Sequence, residues 1–131
     1  MKKTTLLNSA LSTVIAELGH GDMLVIGDAG LPIPSGPQRI DLALCRGTPS
    51  MEAVLSAVLS EMQVESAVVA SELASGNPSL LATLKSQLAN AAIEQVDHEA
   101  FKAITANARA MVRTGECTPY ANIILRAGVT F

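Results

Sequence analysis

Met23-Leu24-Val25-Ile26 is a short, unbroken apolar run with a β-branched centre, bounded by Gly21-Asp22 before it and Gly27-Asp28 after it. A run this short that never alternates with polar residues reads as a strand buried on both faces, the kind found inside α/β sheets. Such a strand needs a layer of structure above it and another below. Ligands in open α/β sheets collect outside the carboxyl ends of the strands. Asp28, at that end and followed by the turn residues Ala29 and Gly30, is therefore a candidate polar group on a rigid rim. His20 stands just before the strand, between Gly19 and Gly21.

The rest of the chain supplies the layers. Leu7, Leu11, Val14, Ile15 and Leu18 recur at helical spacing and predict a helix from Asn8 or Ser9, either able to cap it, to Leu18, with Gly19 at C′. The opening Met1-Lys2-Lys3 is not followed by a secretory core, because Asn8, Ser9, Ser12 and Thr13 interrupt the apolar residues and no small-x-small site follows. Three prolines between Pro32 and Pro37 exclude helix and predict a stiff, extended loop. Arg39 to Leu44 alternates in part and predicts a second strand ending at Arg46-Gly47-Thr48-Pro49. Ser50 caps a helix with the stripe Val54, Leu55, Val58, Leu59 and Met62. Ser66 to Ala70 is the next buried strand, and Asn77-Pro78 opens a helix whose inner face is Leu80, Leu81, Leu84 and Leu88. Ile93 to Val96 predicts a strand, Asp97 caps a helix containing Phe101 and Ile104, and Ala110 to Arg113 and Asn122 to Leu125 complete the strands. Strands alternating with helices predict βαβ units: one three-layer α/β domain over residues 1–131, with a largely parallel central sheet and helices on both faces.

Composition adds an expectation about assembly. Hydrophobic residues make up 49% of the chain, charged residues 16% and aromatics only 2%, so an aliphatic core is expected and polar side chains are too few to cover a monomer. Surfaces of that kind mark subunit contacts, and an oligomer is expected. Nine basic residues are scattered through a chain of net charge −3, which gives no footprint for nucleic acid. No run approaches the ~18 apolar residues of a membrane span, and a cytoplasmic protein is expected. Cys45 and Cys117 lie in no CxxC pattern and are expected to be free thiols. Cys117 as a nucleophile has no base placed beside it in sequence, and a small buried thiol is the commoner case. No phosphate-binding glycine fingerprint is present, and two histidines without ligand spacing predict no metal site.

The residues able to move protons or hold hydroxyls are few. His20 and His98 are the only histidines. For His20, a solvated residue at a helix end and a functional group weigh about equally. His98, in the first turn of its helix, reads locally as an exposed polar residue. Asp28 could instead be a turn former bonded within its own loop. Arg113-Thr114-Gly115-Glu116-Cys117-Thr118-Pro119-Tyr120-Ala121-Asn122 concentrates hydroxyl, amide and carboxylate groups, with Tyr120 and Asn122 at strand spacing and so on one side. Two such loops on an apolar chain suit a polyhydroxylated ligand, whereas the plainer reading is a polar surface turn.

These same segments resemble a known family. Leu18-Gly19-His20, Asp28-Ala29-Gly30-Leu31-Pro32-Ile33-Pro34, Arg39-Ile40-Asp41, Glu61-Met62-Gln63-Val64-Glu65 and Arg113 to Leu125 are similar to the bacterial D-ribose pyranases, whose relatives include L-fucose mutarotase. The resemblance spans Met1 to Phe131 and is weakest from Leu84 to Glu94. It implies a cofactor-free isomerase that interconverts the β-pyranose and β-furanose forms of D-ribose. It implies His20 as proton donor and sugar contacts from Asp28, His98, Tyr120, Ala121 and Asn122. It also implies ring-shaped pentamers, often two rings stacked as a decamer, with sites near subunit boundaries. Mutarotation of another sugar such as L-fucose, or non-catalytic sugar binding beside a ribose transporter, are the alternatives.

Overall fold

The computed structural model describes residues Met1–Phe131, with elements in the order α1 (Ser9–Glu17), β1 (Met23–Gly27), β2 (Gln38–Asp41), α2 (Met51–Leu59), β3 (Val64–Ala70), α3 (Leu73–Gly76), α4 (Pro78–Leu88), β4 (Ala92–Val96), α5 (His98–Thr105), β5 (Ala110–Arg113) and β6 (Ile123–Ala127). The strands form one sheet in the order β2-β5-β1-β6-β3-β4. β1 and β2 pair parallel with β5, and β3 pairs parallel with β4. β6 runs antiparallel to both β1 and β3. Five strands therefore point the same way and β6 alone opposes them, giving a mixed, largely parallel sheet.

Alternation across the strands divides the core into two layers. Leu24, Ile26, Val112, Ile123, Leu125 and Val69 face a large layer closed by α1, α2 and α4. Val25, Met111, Ile124 and Val68 face a smaller one closed by Phe101 of α5 and by Leu31 of the proline loop. Leu24, Val25 and Ile26 are all fully buried, as expected for a strand covered on both faces. Helices lie on both sides, unevenly.

Side-chain caps fix the helix starts. Asn8, Ser50 and Asp97 accept hydrogen bonds from the amides of Leu11, Ala53 and Ala100, which satisfy otherwise orphaned donors. α1 stops with Leu18 as an extended C-cap, and the left-handed residue of the turn that follows is Gly21, with φ 82°. Most strand and helix ends fall within one or two residues of the sequence expectation, and three features depart further. β2 ends at Asp41 rather than near Leu44, because the Asp41 carboxylate accepts the Ala43 amide and turns the chain. Leu44 is left exposed. The one-turn α3 was hidden by its brevity. Tyr120 belongs to no strand: its φ is 55° and β6 begins at Ile123, so strand spacing does not place it beside Asn122.

Candidate active site

Because five strands are parallel and β6 opposes them, their carboxyl ends and the start of β6 meet at one end of the sheet. Asp28 follows β1, Ser71 and Glu72 follow β3, Asp97 and His98 follow β4, Thr114 follows β5, and Asn122 precedes β6. This is the rim at which open α/β sheets hold ligands.

Asn122 and Asp28 form a closed pair. The Asn122 side chain is buried; its Oδ1 accepts the Asp28 amide at 2.8 Å and its Nδ2 donates to Asp28 Oδ2 at 3.0 Å. Asp28 Oδ1 accepts the Gly30 amide at 2.9 Å. Asp28 is thus a turn former as well as a candidate ligand, since an ionised carboxylate has about four acceptor positions and these bonds fill two. Gly27 lets Leu31 and Asn122 pack close to the backbone, since a Cβ would meet Leu31 Cδ2 at 2.7 Å and Asn122 Oδ1 at 3.1 Å.

His98 is half-buried, not the exposed polar residue its local sequence suggested. Its ring stacks on Phe101 at 6.3 Å and meets Tyr120 edge-on at 5.4 Å. Its Nδ1 is buried without a protein partner, an arrangement that costs free energy unless a ligand or water completes it. Asn77 Nδ2 holds the 118–120 turn by donating to Thr118 Oγ1 and the Pro119 carbonyl. Gly76 gives Tyr120 its seat: a Cβ there would lie 2.9 Å from the ring. Ala121 is buried between Tyr120 and Asn122. Asp28, His98, Tyr120, Ala121 and Asn122 are therefore brought to one end of the sheet.

Two carboxylates that support this rim were missed in the sequence. Glu72 Oε1 accepts the His98 amide at 3.2 Å; donation from its own amide and from that of His98 holds its carboxyl below the ordinary value, with burial opposing. Burial pushes the Glu116 carboxyl up, but the Met51 amide, the Thr118 hydroxyl and the amides of Thr118 and Cys117 donate to it and carry it below the ordinary value. The sequence signal was available for Glu116, a carboxylate within a loop two residues from buried Thr114. Much of the polarity of that loop is spent inside the protein: Arg113 donates to the Ala29 carbonyl and Asp41, and the Thr114 hydroxyl donates to the Gly27 carbonyl. Cys45 and Cys117 are both free, and Cys117 is exposed, not the small buried thiol expected.

His20 lies elsewhere. It precedes β1, at the amino end of the parallel strands, in a tight turn where the Gly19 amide donates to Asp22 and the Gly21 amide to the Ala127 carbonyl. Its Nε2 is 2.8 Å from Glu65 Oε2. The five residue steps from Met23 to Asp28 span ~17 Å of strand, so His20 and Asp28 of one chain stand at opposite ends of the sheet, too far apart to touch one small molecule. The largest cavity, about 480 Å³, is on the His20 side, lined also by Leu18, Met62 and Phe131. No cavity of the single chain includes Asp28, His98, Tyr120 or Asn122. The polar side chains instead converge at the opposite rim, around Asp28, His98 and Asn122. No helix is long and apolar enough to cross a membrane.

The family model described as the RbsD / FucU transport protein family matches residues 1–130. The chain is 62% identical over 133 aligned residues to the D-ribose pyranase of Variovorax paradoxus and 60% identical over 131 to that of Symbiobacterium thermophilum, each alignment covering both chains completely. Among solved structures, it superposes on Bacillus subtilis RbsD complexed with D-ribose with a TM-score of 0.97 at 45% identity, again over all of both chains. The fucose mutarotase of Streptococcus pneumoniae, in complex with L-fucose, is more distant, with a TM-score of 0.82 at 26% identity and full coverage of both chains.

Proposed function

The chain belongs to the RbsD / FucU transport protein family, and on that premise we propose that it is a D-ribose pyranase, an isomerase exchanging the β-pyranose and β-furanose forms of the sugar. The observation that carries the reading is the rim at the carboxyl ends of the strands, together with full-length similarity to D-ribose pyranases. The similarity to fucose mutarotase is weaker at 26% identity, so D-ribose is the substrate favoured over L-fucose.

Changing ring size means opening one hemiacetal and closing another. A proton reaches the ring oxygen as its bond to the anomeric carbon breaks, and the anomeric hydroxyl loses one, leaving the open-chain aldehyde. A different hydroxyl then adds to the aldehyde with the reverse proton movements. No electron is gained or lost. In this reading Asp28 accepts hydrogen bonds from sugar hydroxyls through its free lone pairs, as a charge-assisted acceptor. Asn122 keeps Asp28 in place, and His98, Tyr120 and the backbone at Ala121 fix the ring's orientation. His20 supplies the proton, and general acid–base catalysis of this kind contributes ~10²–10⁴-fold.

The separation of His20 from Asp28 along β1 makes the oligomer part of the mechanism. A second copy brings its own His20 to the sugar held by the first chain's rim, within the pentamer, or decamer of two stacked rings, that the family resemblance implies. The enzyme works in the cytoplasm without a cofactor, where the furanose it releases is available for phosphorylation.

Exchange NMR on equilibrated D-ribose tests the reading. The protein should accelerate pyranose–furanose exchange, and His20→Ala and Asp28→Ala should each remove most of the gain. Mixed after dissociation and reassembly, the two variants should recover part of it, because some sites then combine an intact His20 with an intact Asp28. Recovery that fails in properly mixed oligomers would return both groups to a single chain, and unchanged exchange in His20→Ala would reject it as the acid.

A further inference from the structure

We propose that Glu65 is a positioning residue for His20, fixing the imidazole so that Nδ1 is the nitrogen that exchanges a proton with the sugar. The inference rests on the reading of His20 as the acid. His20 Nε2 and Glu65 Oε2 are 2.8 Å apart although 45 residues separate them in sequence. An ionised carboxylate only accepts hydrogen bonds, so Nε2 carries the hydrogen and Nδ1 is left for other work.

The backbone that carries each partner is fixed. His20 sits in the turn closed by the Gly19 amide on Asp22 at 2.9 Å and the Gly21 amide on the Ala127 carbonyl at 2.8 Å. Glu65 lies where the pairing of β3 with β6 shifts register between Val64 and Ser66, a bulge that re-aims a side chain. Gly128 closes over it: a Cβ there would come 3.1 Å from Glu65 Cβ and 3.3 Å from its amide nitrogen. The end of β6 therefore braces both residues, through Ala127 on one side and Gly128 on the other.

Stability does not account for this arrangement. The two side chains are 61% and 45% exposed in the single chain, and ion pairs so well solvated contribute little to folding. Once a second copy covers the pair, the same contact lies in a drier site, where a fixed tautomer and orientation decide whether a proton can be delivered. Two protons move in each half of the reaction: water takes the one lost by the anomeric hydroxyl as the aldehyde forms and returns one to the aldehyde oxygen as the new ring closes, while His20 handles the other. Imidazolium Nδ1–H passes its proton to the ring oxygen as the hemiacetal opens, while Nε2–H stays bonded to Glu65. The neutral ring, now with a free lone pair on Nδ1, takes a proton from the hydroxyl that closes the new ring. No proton passes to Glu65.

The test uses the assembled protein labelled with ¹⁵N-histidine, with His98→Gln to assign the two imidazoles. In wild type, neutral His20 should show the Nε2–H tautomer, and Glu65→Ala should convert it to a mixture. Glu65→Ala should lower ring exchange by at least ~10-fold, part of the gain available to a general acid, with D-ribose affinity within about 2-fold of wild type on the same expectation that only the acid is disturbed. Glu65→Gln, whose amide oxygen still accepts from Nε2, should recover part of the rate. A wild-type tautomer and wild-type rate in Glu65→Ala would overturn the proposal, as would parallel loss of rate and affinity with the tautomer unchanged. If wild-type protein fails to accelerate exchange, the isomerase reading falls, while the tautomer spectra still decide whether Glu65 orients His20.

Discussion

Glu116→Gln keeps the shape of a side chain on which three segments depend and removes its charge. Glu116 Oε2 accepts the Met51 amide at the first turn of α2, and Oε1 accepts the amides of Cys117 and Thr118 and the Thr118 hydroxyl, all at 3.1–3.3 Å. Its own carbonyl accepts the Ala29 amide at 2.8 Å, next to Asp28. Glutamine has one oxygen. If that oxygen keeps the three donors of the 116–118 turn, the NH₂ faces the Met51 amide, donor against donor. A hydrogen bond to a charged group contributes ~1.5–3 kcal/mol, and a negative charge at a helix N-terminus a further ~0.3–1 kcal/mol. Glu116 is only partly buried, so water recovers part of this and a loss of ~2 kcal/mol is expected. Urea unfolding at one fixed protein concentration measures it, since assembly makes apparent stability concentration-dependent. The pH dependence has a definite sign. A carboxyl held below its ordinary value of 4.5 contributes stability that is present above that value and lost as pH falls through 4.5 toward the lower folded-state value. The gap between wild type and variant should therefore be full at pH 7 and shrink below pH ~4.5. A gap of the same size at both ends, or none at pH 7, would refute the account of Glu116 as an ionised tie.

Asn122→Ala removes both bonds to Asp28 and is expected to cost ~2–3 kcal/mol and to weaken D-ribose binding, read by thermal unfolding and by sugar titration; unchanged affinity would mean that Asp28 needs no support. Gly76→Ala places a methyl 2.9 Å from the Tyr120 ring, in backbone that is not left-handed, so overpacking alone should cost ~1–3 kcal/mol and tilt the ring away from His98. The chain has one tyrosine and no tryptophan, so intrinsic tyrosine emission reports that displacement directly, and an unaltered spectrum would show that the ring does not move.

The sequence made the architecture readable where one physical signal dominated. An uninterrupted apolar run sufficed for β1, and Asn8, Ser50 and Asp97 announced three helices through capping chemistry. It failed at short features that carry no periodic signal: the Asp41 side chain that ends β2 by capping Ala43, the four-residue α3, and the positive φ of Tyr120. Asp28 and His98 were legible as residue types, but their partners Asn122 and Tyr120 lie far along the chain, and local rules made His98 look exposed. The polar loop after β5 looked entirely available to a ligand, whereas Thr114 and Glu116 are occupied in holding it together. That His20 stands at the far end of β1 follows from strand direction and needed only one prediction, that the sheet is mainly parallel.

The lone antiparallel strand also sets when the molecule can become complete. β6 is the last strand to be synthesised, yet it is the only strand hydrogen-bonded to both β2-β5-β1 and β3-β4. Without Ile123–Ala127 the other five strands have ladder partners only within two separate ribbons, and β1 and β3 each keep a bare edge. Truncation near the C-terminus would therefore be far more damaging than its length suggests. Translation must finish before the protein has a middle.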